Sequence, residues 1–216
     1  MWRDILFEIF LVGVTGVSTI TFFKYILQIP KVQKYFKKTL IFHPNSLSIL
    51  RIPLAMLALY LYWKNFIIWA LFLYTLSIVL DALDGMIARS CQLETQLGKW
   101  LDPFSDKIVY FIPLVFFWAV WKINLYGVLL FIVIDTFGQF SRIILDYFRM
   151  ETKANIFGKA KTVFIFVWIL FLMMVERKTN SYWSFEIYAL WIAVILALSS
   201  IIFKFIPTAF ISKKGS

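Results

Sequence analysis

The chain has 216 residues, of which 62% are hydrophobic, and its mean hydropathy is +0.82. Soluble domains are roughly 45–50% apolar, so the composition excludes a soluble globular protein and predicts an all-α, polytopic membrane helical bundle. The net charge of +10 indicates cytoplasmic loops that face anionic lipid headgroups. No nucleic-acid-binding motif accompanies this charge, and we expect no nucleic-acid partner.

The first 43 residues predict an N-terminal segment that differs from the rest. An apolar run at 5–23 predicts a helix that either spans the bilayer or lies at its surface, and the pattern leaves both possibilities open. Lysines then alternate with apolar residues over 24–45, which is typical of a basic amphipathic helix on a membrane surface. We therefore divide the chain into this segment, 1–43, and a transmembrane domain, 44–216.

Further apolar segments follow at about 46–63, 65–88, 102–121, 124–147, 159–176 and 185–206. Each is near the roughly 20 residues that a helix needs to cross the hydrocarbon, which predicts six core transmembrane helices. Lysine and arginine concentrate at the ends on one side of these helices, and this asymmetry places those ends in the cytoplasm.

Four aspartates lie close together between long apolar runs: Asp81, Asp84, Asp102 and Asp106. A carboxylate at the centre of a membrane helix costs about 2.5–3.5 kcal/mol, so the group needs a neutralising partner. Steps of three and four residues place each pair on one helical face. Oxygen ligands suit hard cations, and several carboxylates suit two ions that stabilise a displacement at phosphorus. We expect two Mg²⁺ or Mn²⁺ ions at this cytoplasmic mouth.

The residues around the aspartates separate two classes of function. The acids alone also suit a cation transporter or channel. However, Gly85 and Ala88 leave room beside Asp81 and Asp84 for a bulky group, and Arg89 follows where a cation can meet phosphate. These offsets favour an enzyme. Pro103 lacks an N–H, which predicts that the second helix begins near Asp102 or bends there.

The whole stretch resembles the signature of the CDP-alcohol phosphatidyltransferases, D-x2-D-G-x2-A-R-x8-G-x3-D-x3-D. The matching positions are Asp81, Asp84, Gly85, Ala88, Arg89, Gly98, Asp102 and Asp106. The Pro44-Asn45 start of the first core helix, with Arg51 after it, also resembles this family. The resemblance covers about residues 44–206.

This resemblance implies a phospholipid-synthesising transferase that moves a phosphatidyl group from CDP-diacylglycerol, or another CDP-alcohol, to an alcohol and releases CMP. It implies that the four aspartates bind metal and that Asp106 is also the general base. The CDP-lipid contacts that it implies are Asn45, Gly85, Ala88, Arg89, Thr95 and Gly98. A homodimer with its active site at the cytoplasmic face of a bacterial inner membrane is expected from the same resemblance. An inactive, lipid-binding homologue is the third possibility, and the intact aspartates argue against it.

The acceptor alcohol is less well defined. Residues 155–162 and 102–107 are similar to segments of bacterial phosphatidylglycerophosphate synthases, which favours glycerol 3-phosphate. The candidate acceptor-binding residues are Lys107, Arg142, Lys159 and Lys161. Positive-inside topology explains the last three equally well. In that subfamily, an arginine paired with an acidic residue is common on the fourth core helix, which is the segment 124–147 here. This chain instead has the region around Asp135 there. Inositol phosphate, phosphatidylglycerol, serine and choline therefore stay open as acceptors.

Overall fold

The computed structural model describes residues 2–38, 43–93, 95–121, 123–147, 156–175 and 183–212, and the regular elements in these ranges are all α-helices. In chain order they are α1 (Trp2–Ile26), α2 (Pro30–Lys38), α3 (Pro44–Trp63), α4 (Ile67–Cys91), α5 (Gln96–Trp121), α6 (Leu125–Tyr147), α7 (Ile156–Val175) and α8 (Trp183–Ser212). The predicted all-α fold is therefore confirmed.

Helix length and composition support a multi-pass membrane protein. Within the described ranges, four helices are long and apolar enough to cross a membrane: Pro44–Trp63, Ile67–Cys91, Leu101–Val120 and Ile156–Met174. The end of α1 turns by 105° into α2, and this bent pair would make a fifth candidate. Helices α6 and α8 contain shorter apolar stretches. The count of six core spans stays a prediction.

Helix α5 begins earlier in the chain than we expected from the position of Pro103. Its first residue is Gln96, so the alternative of a start near Asp102 was wrong. Thr95 caps the helix, because its Oγ1 accepts a hydrogen bond of 2.9 Å from the Gly98 N–H. This cap starts the helix upstream of Pro103, which lies inside α5.

The chain divides into two compact units, of which the first comprises residues 1–113 and 169–180. In this unit α1, α2 and α3 all pack against α4. Their shared core consists of Leu27, Phe36, Leu47, Val79, Leu80, Leu83, Ile87 and Cys91. Side chains from the N-terminal segment are thus buried together with side chains of α3 and α4. The domain boundary at residue 43 stays a prediction.

The second unit comprises residues 114–168 and 181–216. Helix α6 packs against α8, and a Cβ at Gly138 would lie only 3.0 Å from Cγ1 of Ile201. A glycine therefore permits the close approach of these two helices, as small residues do in membrane bundles. Within the same unit, a buried ion pair between Asp135 and Lys161 joins α6 to α7.

Candidate active site

The candidate site lies in the first unit, where α4 ends and α5 begins. Helix α4 ends at Cys91 because Gln92 adopts the left-handed conformation, with a φ of 54°, and its N–H bonds back to the carbonyls of Ala88 and Arg89. The Thr95 cap then starts α5 after a short turn. This turn brings the last part of α4, with its two aspartates, next to the first part of α5, with the other two.

A serine on α3 joins one aspartate of each helix. The Ser48 hydroxyl lies 2.8 Å from Oδ2 of Asp84 and 2.7 Å from Oδ1 of Asp102. Both Ser48 and Asp84 are buried. Because a hydroxyl carries a single proton, it donates to only one of these carboxylates at a time. The two carboxylates therefore share one donor.

An arginine on α3 joins the other two aspartates. Nη1 of Arg51 donates to Oδ1 of Asp81 and, at 2.8 Å, to Oδ1 of Asp106. Nη2 donates to the hydroxyl of Ser105, and Nε lies 4.0 Å from Oδ2 of Asp84. The guanidinium is buried, so a positive charge already lies among three of the four carboxylates.

The sequence patterns alone give no site role to Ser48, Arg51 or Ser105. A signal for Arg51 was present, since it is the only charged residue in the apolar stretch 44–63. An ionisable residue in a membrane helix faces a partner or a functional site as a rule. Ser48 lies three residues earlier on the same helical face, but its hydroxyl carries no comparable signal.

A cavity of about 280 Å³ opens beside the carboxylates and includes Asp102 in its wall. Its other lining residues are Pro44, Asn45, Gly85, Ala88, Arg89, Leu93, Thr95 and Gly98. The structure thus brings together all six residues that were predicted to contact the CDP-lipid. Thr95 connects two of them, because its hydroxyl donates to Oδ1 of Asn45 at 3.1 Å and accepts from the Gly98 N–H.

Gly98 leaves the space that this hydrogen-bonded group occupies. A Cβ at position 98 would lie 2.9 Å from Oδ1 of Asn45 and 3.1 Å from Oγ1 of Thr95. We expect Gly98→Ala to displace both side chains and to raise the KM for the CDP-lipid that the motif resemblance implies about 10- to 100-fold, which corresponds to the loss of one hydrogen bond to a charged group. Steady-state kinetics of CMP release measure this change.

Gly13→Ala is the matched control, because a Cβ at position 13 of α1 would meet no atom within 4 Å. Both substitutions replace a helical glycine and remove the same backbone entropy, so only the contacts differ. An unchanged KM in Gly98→Ala would show that the Asn45–Thr95 group does not contact the substrate.

The donor chemistry of the cluster suits hard divalent cations. Asp84 and Asp102 share the single proton of the Ser48 hydroxyl, so this one donor serves two carboxylates. The buried guanidinium of Arg51 shows that the cluster accommodates a positive charge. In the described part of the chain, no three acidic, histidine or cysteine side chains are already arranged around one ion position. The oxygen atoms of the four carboxylates are the type of ligand that such ions prefer. The aspartate side chains need to rotate before three of them can coordinate one ion.

The candidate acceptor-binding residues lie in different parts of the chain. Lys107 of α5 is half-buried, and its Nζ lies 5.6 Å from the ring centroid of Phe111. Lys159 is exposed in the first turn of α7. Arg142 belongs to α6, but its side chain is outside the described residues.

Lys161 has a buried ion-pair partner that the sequence did not indicate. Its Nζ contacts Oδ1 of Asp135 across the interface of α6 and α7. Asp135 lies in the part of α6, the fourth core helix, where the arginine and acidic residue of the related synthases were expected. The structure accounts for its carboxylate by this contact between helices.

A helical membrane chain that gathers four carboxylates and an arginine-lined cavity has the features of a membrane-embedded enzyme for phosphate-ester chemistry. The sequence profile of the CDP-alcohol phosphatidyltransferases matches residues 41–199, and the chain belongs to this family. The resemblance stated from the motif is thereby confirmed, and the transferase is favoured over the cation transporter. Members of this family use divalent metal ions.

Curated relatives carry two different names. The chain is 31% identical over 124 residues to the CDP-diacylglycerol–glycerol-3-phosphate 3-phosphatidyltransferase of Aquifex aeolicus, covering 56% of this chain and 70% of the relative. It is 26% identical over 161 residues to the protein of the same name from Rickettsia bellii, covering 72% and 88%. It is also 35% identical over 89 residues to the CDP-diacylglycerol–inositol 3-phosphatidyltransferase of Drosophila melanogaster, covering 36% and 38%.

Proposed function

We propose that the chain transfers the phosphatidyl group of CDP-diacylglycerol to a hydroxyl of glycerol 3-phosphate and releases CMP. The observation that carries this proposal is that the six predicted CDP-lipid contacts line one cavity together with Asp102. Similarity to relatives named for glycerol 3-phosphate extends over 70% and 88% of their lengths, against 38% for the inositol enzyme. This difference in coverage favours glycerol 3-phosphate over inositol.

The four aspartates are proposed to hold two Mg²⁺ or Mn²⁺ ions. When bound, such ions neutralise the diphosphate and stabilise the charge that develops during the displacement. Asp81, Asp84 and Asp102 act as ligands, and Asp106 contributes to the second ion. Its partial exposure, together with that of Asp81, supports access for a substrate from outside the protein.

Asp106 is also the proposed general base. Arg51 contacts Oδ1 of this carboxylate, and the proton of the acceptor hydroxyl is proposed to pass to Oδ2. The acceptor oxygen forms a bond to the β-phosphorus, and the bond from that phosphorus to the CMP oxygen breaks. The bonding electron pair leaves with CMP, and the proton stays on Asp106 until it is released to water.

The cavity residues are proposed to hold the nucleotide end of the CDP-lipid. Arg89 supplies a cation for the diphosphate, and the amide of Asn45 and the hydroxyl of Thr95 offer hydrogen bonds. A Cβ at Gly85 would lie 3.7 Å from Nη2 of Arg89, so a larger residue there would fill space next to this guanidinium. Gly85 and Ala88 thus keep the wall open for the diphosphate.

A transfer assay with different acceptors tests the proposal. The purified chain in detergent micelles receives labelled CDP-diacylglycerol and Mg²⁺ or Mn²⁺, with glycerol 3-phosphate, inositol, inositol phosphate, phosphatidylglycerol, serine or choline supplied separately. We expect CMP release with glycerol 3-phosphate and loss of activity on chelation, because the carboxylates then repel the diphosphate. Reactions without acceptor measure background hydrolysis.

Two outcomes of this assay would contradict the proposal. Faster CMP release with inositol or inositol phosphate than with glycerol 3-phosphate would make an inositol compound the acceptor. The similarity to the Drosophila enzyme makes this the second candidate function. No release above background with any acceptor, combined with cation flux through liposomes that contain the chain, would contradict the enzyme itself.

We also propose that the site faces the cytoplasm at a bacterial inner membrane and that the chain forms a homodimer. The concentration of lysine and arginine at one set of helix ends supports the orientation. The dimer rests on family resemblance, and crosslinking in native membranes tests it: a monomer there would contradict it.

A further inference from the structure

We infer that α3 carries a pair of positioning residues, Ser48 and Arg51, which tie each aspartate of α4 to one aspartate of α5 and thereby set the spacing of the four carboxylates. This inference rests on the proposed function, because it concerns the metal-binding and reacting groups named there. Its evidence is independent of the motif, since neither residue belongs to the signature between positions 81 and 106.

The pairing crosses the interface between helices in both cases. Ser48 joins Asp84 to Asp102 through contacts of 2.8 and 2.7 Å. Arg51 joins Asp81 to Asp106, and both contacts involve the same nitrogen, Nη1. Without these links, like charges on α4 and α5 repel one another. The two α3 residues therefore hold together a group of acids that would otherwise separate.

The Arg51 link approaches its two carboxylates from the buried side. The side chain of Arg51 is 1% exposed, whereas those of Asp81 and Asp106 are 42% and 32% exposed. Arg51 contacts Oδ1 of each of these two aspartates. Since each carboxylate has two oxygens with their own lone pairs, Arg51 leaves part of the acceptor capacity of Asp81 and Asp106 unused.

The guanidinium is oriented by a third contact. Nη2 donates to Ser105, whose hydroxyl in turn donates to the Asp102 carbonyl at 3.0 Å. Because a guanidinium is planar and its donors have a fixed geometry, this bond fixes the direction of Nη1. A lysine offers one flexible ammonium and cannot reproduce contacts from two separate nitrogens. Arg51→Lys therefore keeps the charge but loses the geometry.

The test compares Arg51→Lys and Ser48→Ala with the wild-type full-length chain in detergent micelles. Mn²⁺ binding is followed by electron paramagnetic resonance, and thermal unfolding is recorded with and without Mn²⁺. We expect both variants to bind Mn²⁺ about 10- to 100-fold more weakly, as is typical when groups that orient metal ligands are removed. Lys64→Gln, which removes an exposed cation at the C-terminal end of α3, is the control and should bind Mn²⁺ like wild type.

Other roles for Arg51 give different results. If the guanidinium only competed with the metal, Arg51→Gln would bind Mn²⁺ more tightly and Arg51→Lys would bind it as wild type does. If the role were merely structural, unfolding temperatures would fall while the Mn²⁺ affinity of the folded protein stayed the same. Either result overturns the inference. If Arg51→Lys fails to fold, the Mn²⁺ affinity of Ser48→Ala, which removes a single oxygen, tests the inference by itself.

The same experiment separates this inference from the proposed function. Weaker Mn²⁺ binding in the variants, with no transfer by wild type to any acceptor, supports the positioning role and contradicts the transferase. Normal transfer by wild type, with unchanged Mn²⁺ affinity in both variants, contradicts the positioning role alone. If wild type bound neither Mn²⁺ nor Mg²⁺, both would be overturned.

Discussion

Asp106→Asn is expected to lower kcat by about 10²- to 10⁴-fold, which is the usual contribution of a general base. Asparagine has nearly the same shape, and its amide oxygen still accepts the hydrogen bond from Nη1 of Arg51. It cannot take a proton from the acceptor hydroxyl. CMP release at saturating glycerol 3-phosphate and Mn²⁺ measures kcat, and a binding assay with labelled CDP-diacylglycerol is expected to show retained affinity.

Because Asp106 is also a proposed metal ligand, the Mn²⁺ affinity of this variant is measured in parallel. Asp4→Asn is the matched control, since it makes the same chemical change outside the residues 41–199 that match the family. A kcat within a few-fold of wild type at saturating Mn²⁺ would remove Asp106 as the base. A loss of activity that higher Mn²⁺ concentrations restore would leave it with the role of a metal ligand only.

Asp135→Leu is expected to lower the free energy of unfolding by about 3–5 kcal/mol, the usual cost of removing one partner of a buried ion pair. The side chain of Asp135 is 1% exposed and that of Lys161 is 14% exposed, so the substitution leaves a largely buried lysine without this carboxylate. Unfolding of the chain in micelles by heat or denaturant measures the change.

The double variant Asp135→Leu, Lys161→Met is the informative comparison. Replacement of a whole buried ion pair by apolar residues of similar volume is often neutral, so we expect it to recover most of the lost stability. A double variant as unstable as the single one would contradict this account of the pair. If the double variant recovers stability but has a higher KM for glycerol 3-phosphate than wild type, Lys161 also binds the acceptor; if its KM equals that of wild type, Lys161 does not.

The amino-acid sequence is enough to predict the class of the molecule and the six residues that line the cavity together with Asp102. Composition alone indicates a helical membrane protein, because an apolar chain of this kind can satisfy its backbone hydrogen bonds in a bilayer only within helices or closed barrels. The spacing of the motif led to the family that the comparison confirms. The same motif predicted the residues of one cavity, since helical periodicity is local and Gly85, Ala88 and Arg89 lie one turn apart on α4.

Which charged groups become partners depends on how the helices pack. Spacing along the chain grouped Asp81 with Asp84 and Asp102 with Asp106, whereas the folded chain links acids across the two helices through α3. The pairing of Asp135 with Lys161 is equally non-local. Such contacts depend on how the turn between α4 and α5 is capped and on which helix faces pack together. Periodicity within one helix carries no information about the rotation of its neighbour, and for that reason the site roles of Ser48 and Arg51 emerged only from the fold.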